Sequence, residues 1–197
     1  MAKYKHGKIN QTMEFSEFNQ FMSTYPFEPS GFMKALLAFL YWTGVRVSEA
    51  TERTTKDFTL EKATLIIDCP PKKHGERLPL QLPLDLPYVI DIVEAWKRAS
   101  RTYKQKRMQK RYQTGLVFPC TTRTARRWVK AVFGERYYPH FFRLNRATKF
   151  LNDPTTTIPQ MKSWFGWKAV DTVNMYIGYS KRAVAQQAQR LHQDLSE

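Results

Sequence analysis

The chain has 197 residues, enough for one compact domain or for one domain with short tails. An apolar share of 42%, rich in Trp, Phe and Tyr, supplies a packed core and excludes a disordered basic protein. Thirty-two Lys and Arg against 17 Asp and Glu leave a formal charge of +15, a balance that attracts polyanions: nucleic acid first, an anionic membrane surface second.

Cysteine and the chain start narrow this further. Cys69 and Cys120 are far apart and form no C-x-x-C pair, and with only four His there is no zinc-finger spacing. No metal site and no disulfide are therefore expected, and a reducing compartment is the default. The first eleven residues lack an apolar signal core. The longest apolar stretch, Phe32 to Trp42, is interrupted by Lys34 and is too short to span a bilayer. The expectation is a soluble, intracellular protein without a membrane segment.

In chain order, residues 1–13 read as a polar, basic tail. Ser16 caps a short helix with Phe18, Phe21 and Met22 on one face, ended by Pro26 and Pro29. Ser30 starts a strongly apolar helix that stops at Thr43-Gly44, where Gly serves as a C-cap. A second helix follows at once, around Val45 to Glu52. The period then changes: Phe58 to Leu60, Thr64 to Asp68 and Arg77 to Leu82 read as three short strands. A helix runs from about Leu86 to Ser100 with Val89, Ile92, Val93 and Trp96 inward. The basic run over 97–111 is taken as its end plus an exposed loop. Gly115 to Pro119 reads as a short buried extended piece. Thr121 or Thr122 caps a helix that carries Arg123, Arg126, Arg127 and Lys130. A helix after Pro139 reaches about Asn152, short helices follow near 157–165 and 170–177, and a polar helix with spaced Ala and Leu closes the chain over 181–195. The sum is a mainly-α α+β domain with a small three-stranded antiparallel sheet.

Four segments carry chemistry. In Thr43-Gly44-Val45-Arg46-Val47-Ser48-Glu49, an arginine leaves a glycine turn at a helix start, and Glu49, three residues on, lies on the same face. Lys72-Lys73-His74-Gly75-Glu76-Arg77 places lysines at a hairpin tip, able to reach into a DNA groove. His140-Phe141-Phe142-Arg143 sets a histidine and an arginine at i, i+3, so both can reach one phosphate. Gly166-Trp167 is followed, nine residues after the tryptophan, by Tyr176. Taken singly, each segment reads as well as an ordinary surface pair, turn, structural histidine or core tyrosine.

Together, in this order, they resemble the tyrosine recombinases of the phage-integrase family. Thr43-Gly44-x-Arg46-x-x-Glu49 is similar to the family's first box, and His140-x-x-Arg143 to its second. Gly166-Trp167 is similar to the Gly-His/Trp motif, and Tyr176 stands at the usual offset from it. The resemblance covers roughly residues 14–195, and departs from the pattern in having Phe142 and Leu144 around Arg143 and Trp at 167. It implies the helical recombinase fold and a catalytic set of Arg46, Lys73, His140, Arg143, Trp167 and Tyr176, with Glu49 supporting from behind. The Lys-x-Gly turn favours Lys73, whereas counting back from Arg77 favours Lys72. Tyr179 is a second tyrosine, but spacing favours Tyr176.

The implied reaction is attack of Tyr176 on a DNA phosphate to give a 3′-phosphotyrosyl bond. It conserves the phosphodiester energy and so calls for no ATP, metal or other cofactor. Arg101, Lys104, Arg107, Arg123, Arg126, Arg127 and Lys130 are the expected contacts to the backbone of double-stranded DNA. The helix over 181–195 is expected to mediate self-association on DNA. The family's usual N-terminal core-binding domain has no counterpart here, since about a dozen residues precede the catalytic domain; the chain reads as an excised domain or a minimal recombinase. Type IB topoisomerases share the chemistry, a recombinase-derived binding module without activity shares the fold, and an RNA-binding protein shares only the charge.

Overall fold

The computed structural model describes residues 12–72, 75–105 and 115–177. Within them lie eight helices and one three-stranded antiparallel sheet, the mainly-α α+β architecture expected. The helices are α1 (Phe15–Thr24), α2 (Phe32–Thr43), α3 (Val47–Ala50), α4 (Val89–Gln105), α5 (Thr122–Phe133), α6 (Pro139–Asn152), α7 (Ile158–Phe165) and α8 (Asp171–Ile177). The strands β1 (Phe58–Glu61), β2 (Thr64–Ile67) and β3 (Leu80–Pro83) fall between α3 and α4 and pair in sequence order.

Helix α2 is the axis of the domain. Every residue from Ala35 to Tyr41 is buried, so it is apolar on all sides and must be surrounded. It packs against α3, α4, α5 and α6. Aromatic rings close the gaps. Phe18 of α1 stacks on Tyr41 at 3.9 Å between centroids and meets Phe133 and Phe142 from α5 and α6. The sheet reaches this core through alternate residues, Leu65 and Ile67 of β2 and Leu80 and Leu82 of β3, paired in register as Leu65↔Leu82 and Ile67↔Leu80. A second, smaller cluster gathers Ala147, Met161, Phe165, Trp167, Val173 and Tyr176. Trp164 packs against both clusters, and its indole N–H donates to the Thr43 carbonyl at 2.8 Å.

Several boundaries differ from the sequence expectations, each for a local reason. Helix α1 is entered through Glu14 rather than Ser16, because the extended Glu14 already presents its carbonyl to the Phe18 N–H. Helix α2 starts after Gly31, not at Ser30: Gly31 is left-handed, and the carbonyls of Pro29 and Ser30 are taken by the Arg98 guanidinium. The helix expected over 45–52 is a single turn, since Arg46 remains extended. The third strand begins at Leu80 rather than Arg77, because Pro79 has no N–H for the ladder. Helix α4 starts late, after Tyr88 in the left-handed region (φ 65°), and continues to Gln105, taking in the first part of the basic run. Thr121, not Thr122, caps α5, accepting from the Thr124 N–H at 3.1 Å. No helix among the described residues is long and apolar enough to cross a membrane.

Gly44 is the tightest joint in this frame. It ends α2 at φ 62°, and a Cβ there would lie 2.9 Å from the Arg146 Cβ and 3.0 Å from the Phe165 ring. Gly44→Ala should therefore cost about 2–5 kcal/mol, combining left-handed strain of about 1–2 with overpacking of about 1–3. Urea unfolding at neutral pH measures it, and a loss under about 1 kcal/mol would mean that the turn yields freely.

Candidate active site

The site is built from the ends of helices. Past the Gly44 turn, the extended Arg46 opens α3, and Glu49, as the third helical residue, folds back to it. The Glu49 carboxylate accepts the Arg46 backbone N–H at 3.0 Å and Arg46 Nη1 at 2.8 Å. This reciprocal closure satisfies a donor that the helix start would otherwise leave orphaned. The Glu49 side chain has no exposed surface, whereas Arg46 keeps about a third of its side chain open to solvent.

Arg143 enters from α6. Pro139 starts that helix at a position where its missing N–H costs nothing, so His140 falls on the first turn and Arg143 one turn on. His140 is exposed, while Arg143 is buried. Arg143 spreads its fork between two helix ends: Nη1 donates to Gly44 O at 3.1 Å and Nη2 to Phe165 O at 2.9 Å. Its guanidinium also lies over the Phe165 and Trp167 rings. Burial pulls its pKa down to about 10, opposed first by the nearby Tyr176 hydroxyl, so it remains charged at neutral pH.

Gly166, left-handed at φ 63°, ends α7 and turns the chain into Trp167, whose N–H donates to Lys162 O at 3.0 Å. The Trp167 ring is stacked between Phe165 (4.7 Å, 20°) and Tyr176 of α8 (5.0 Å, 23°). Tyr176 is buried, and it lies close enough to Arg143 to act on its charge. The folded chain thus brings Arg46, Glu49, Arg143, Trp167 and Tyr176 into one neighbourhood from three helices, α3, α6 and α8, and the turn between α7 and α8.

Arg77 belongs to this neighbourhood and was not singled out in the sequence. A period-two reading of residues 77–82 puts Leu78, Leu80 and Leu82 inward and Arg77 outward. The structure reverses the first pair: Leu78 is exposed and the Arg77 side chain is fully buried, because the ladder does not start until Leu80. Arg77 Nη2 donates to Glu49 Oε2 at 3.0 Å. The available signal was chemical rather than periodic, for a glutamate buried behind Arg46 needs a second cation. Burial alone would push the Glu49 carboxyl up, but Arg77, the hydrogen bonds from Arg46 and the Arg143 charge outweigh it and hold the group below the usual carboxylate range.

The remaining expected residues are placed less completely. Lys72 bonds the Glu52 carboxylate through Nζ, and its backbone N–H approaches Glu49 Oε1 at 3.4 Å. Lys73, Arg107, Tyr179 and the 181–195 segment lie outside the described residues. Arg101 is exposed on α4, whose last turn holds Lys104. Arg123, Arg126, Arg127 and Lys130 form the exposed face of α5 opposite the buried Ala125, Val129 and Val132, and Lys130 pairs with Glu135 at 2.5 Å. A cleft borders Trp167 and is lined also by Arg77, Leu78, Lys162 and Lys168.

Comparison with known proteins gives a consistent picture. The phage integrase family model matches residues 11–182. No curated protein matches as a sequence relative. Among solved structures, the XerH site-specific recombinase bound to palindromic difH substrate, a post-cleavage complex, superposes with a TM-score of 0.68 at 17% identity, covering 92% of this chain and 53% of that one. The XerA recombinase gives 0.65 at 17% identity, over 96% and 66%. The Tn1549 transposon integrase in complex with circular intermediate DNA gives 0.55 at 16%, over 94% and 68%. These likenesses are of fold, and the chain spans about half the length of the XerH chain.

The buried carboxylate makes a prediction about pH. The folded pKa of Glu49 lies below its unfolded value, so its stabilisation is complete above the unfolded pKa of about 4.3 and is lost as pH falls through the folded value. Glu49→Gln should cost about 3–5 kcal/mol at neutral pH, where it leaves Arg77 buried without its counter-charge. Urea unfolding at neutral pH and again below about pH 4 should show this deficit shrinking. An equal deficit at both would mean that the carboxylate's charge is irrelevant to the fold.

Proposed function

The chain belongs to the phage integrase family, and from that premise we propose that residues 14–197 are a tyrosine recombinase catalytic domain, preceded by a basic tail, that cuts and rejoins double-stranded DNA through a 3′-phosphotyrosyl bond to Tyr176. The carrying observation is a charge imbalance. Three guanidiniums, of Arg46, Arg77 and Arg143, surround one buried carboxylate, beside a tyrosine stacked on Trp167. A site with surplus positive charge favours an anion whose own charge grows during reaction, as a phosphodiester's does on the way to five-coordinate phosphorus.

In this reading Tyr176 Oη attacks phosphorus, a P–O(Tyr) bond forms, the P–O5′ bond breaks, and a 5′-hydroxyl leaves. Attack by a 5′-hydroxyl reverses the step and rejoins a strand. A tyrosine hydroxyl titrates near ~10 in water, so its proton has to be accepted as the bond forms, and His140 accepts it. Lys73 supplies the proton to the leaving 5′ oxygen. Arg46 and Arg143 hold the non-bridging oxygens with planar forks that stay charged throughout. The Trp167 indole N–H donates to a phosphate oxygen. Arg101, Lys104 and Arg107, with Arg123, Arg126, Arg127 and Lys130, contact the DNA backbone, and the 181–195 segment joins protomers on DNA.

Two experiments test this reading. A duplex pool with randomised flanks and a central 5′-bridging phosphorothiolate should give a denaturant-stable protein–DNA adduct with the wild type and none with Tyr176→Phe. An adduct that persists in the variant would move the nucleophile to Tyr179, and none with the wild type would remove the proposed reaction. Separately, replacing Arg123, Arg126 and Arg127 by Ala should weaken binding uniformly across sequences. It should also flatten the plot of log affinity against log salt by about 0.9 per lost phosphate contact. An unchanged slope would make this face a solvated one.

A further inference from the structure

The proposed reaction gives Arg77 no task, yet its side chain is as inaccessible as any in the site. Its fork binds three separate stretches of chain. Nη1 donates to the Cys69 carbonyl at 2.5 Å, and Nη2 donates to Glu49 Oε2 and to the Phe165 carbonyl, each at 3.0 Å. Among the described residues, Nε is buried without a hydrogen-bond partner. Burying a guanidinium is costly, and an apolar pair filling the same volume as Arg77 and Glu49 would be as stable or more so. Stability therefore does not account for a charged pair here.

Its connections do. Glu49 is the carboxylate that holds Arg46, and the Phe165 carbonyl also accepts from Arg143 Nη2 at 2.9 Å. Arg77 thus joins the anchor of one phosphate-facing arginine to the anchor of the other. The backbone leading to it is pressed on the same turn. Gly75 has φ 145°, and a Cβ on it would run into the Gly166 carbonyl; a Cβ on Gly166 would meet the Pro71 ring at 2.8 Å. Both flanks of the lysine-bearing connection therefore rest on the turn that leads into Trp167.

We propose that Arg77 is a positioning residue of the phosphoryl-transfer site, which sets Arg46 in register with Arg143 by tying Glu49 to the Phe165 carbonyl. The inference rests on the recombinase reading. Because Arg77 acts through Glu49 and a carbonyl, removing it should slow chemistry without weakening DNA capture. The expected loss is about a hundredfold in rate, the scale of an ångström-sized misplacement of reacting groups.

The test uses the full chain and the phosphorothiolate duplex pool, with wild type, Arg77→Met, Arg77→Lys and the double variant Glu49→Gln/Arg77→Met. Adduct rate at saturating protein, the protein concentration for half-maximal rate, and the melting temperature are measured for each. Arg77→Met should melt lower, because Glu49 loses its partner. The double variant should regain melting temperature, because both charges leave together, while its adduct rate stays about a hundredfold down at an unchanged half-saturating concentration. Arg77→Lys keeps the charge without the fork and should recover only part of the rate. Recovery of rate in step with melting temperature in the double variant overturns the proposal, as does a wild-type rate in Arg77→Lys. If every variant and the wild type bind DNA but form no adduct, the recombinase reading falls and this inference with it. A wild-type adduct with an indifferent Arg77 removes the inference alone.

Discussion

Glu49 carries a charge with no exposed side-chain surface, and it stays charged because Arg46 and Arg77 both donate to it while Arg143 lies nearby. The elements around it are arranged to make that possible. Helix α3 is one turn long, just enough to bring Glu49 back over Arg46. The chain between β2 and β3 enters its second ladder late enough, at Leu80, for Arg77 to turn inward. The carbonyls of Gly44 and Phe165, at the ends of α2 and α7, face inward and accept from Arg143 and Arg77. Helix C-termini carry partial negative charge, so two helix ends and one carboxylate together stabilise the buried Arg77 and Arg143 and the partly exposed Arg46.

That balance is incomplete by design of the residue set. One formal negative charge and several carbonyl dipoles do not neutralise three guanidiniums, and a net positive charge remains in the cluster. The Arg143 pKa, pulled to about 10 by burial, reflects the same tension. Arg77 and Arg143 are held in place before any ligand arrives, because their forks bond backbone carbonyls and, for Arg77, the Glu49 carboxylate. Rigidity is inherited from the core behind it: α2 is buried on every side, and the Phe18, Tyr41, Phe133 and Phe142 rings lock it against α1, α5 and α6. Displacing α2 would move the Gly44 carbonyl and Arg46 together.

The aromatic stack has a related role on the other side. Phe165, Trp167 and Tyr176 are layered in that order with successive ring centroids 4.7 and 5.0 Å apart, joining the end of α7 to α8. Stacking fixes the plane of the Tyr176 ring while its hydroxyl lies close enough to Arg143 to act on the charge. The smaller hydrophobic cluster thus aims one group and, through Trp164 and the Thr43 carbonyl, ties itself to the turn that carries Arg46.

Much of this was legible in the residues. Apolar spacing, Gly44, Thr121 and Pro139 mark helix ends because capping and proline chemistry are local, and α6 runs from Pro139 to Asn152 as expected. Arg46, Glu49, His140, Arg143, Trp167 and Tyr176 were recognisable as candidates by order and spacing, since residues three apart on a helix share a face wherever the helix sits. What the sequence could not state is which charges are buried and by what. Arg77 was invisible because its environment is made by Glu49, 28 positions away, and by Phe165, 88 positions away. Burial of a charge is decided by partners that only the closed fold brings within hydrogen-bond range. The residue types and the helix ends at Gly44 and Pro139 were therefore determined by the sequence itself, and the tertiary structure alone decided that Arg46 and Arg77 meet on one carboxylate with Arg143 beside them.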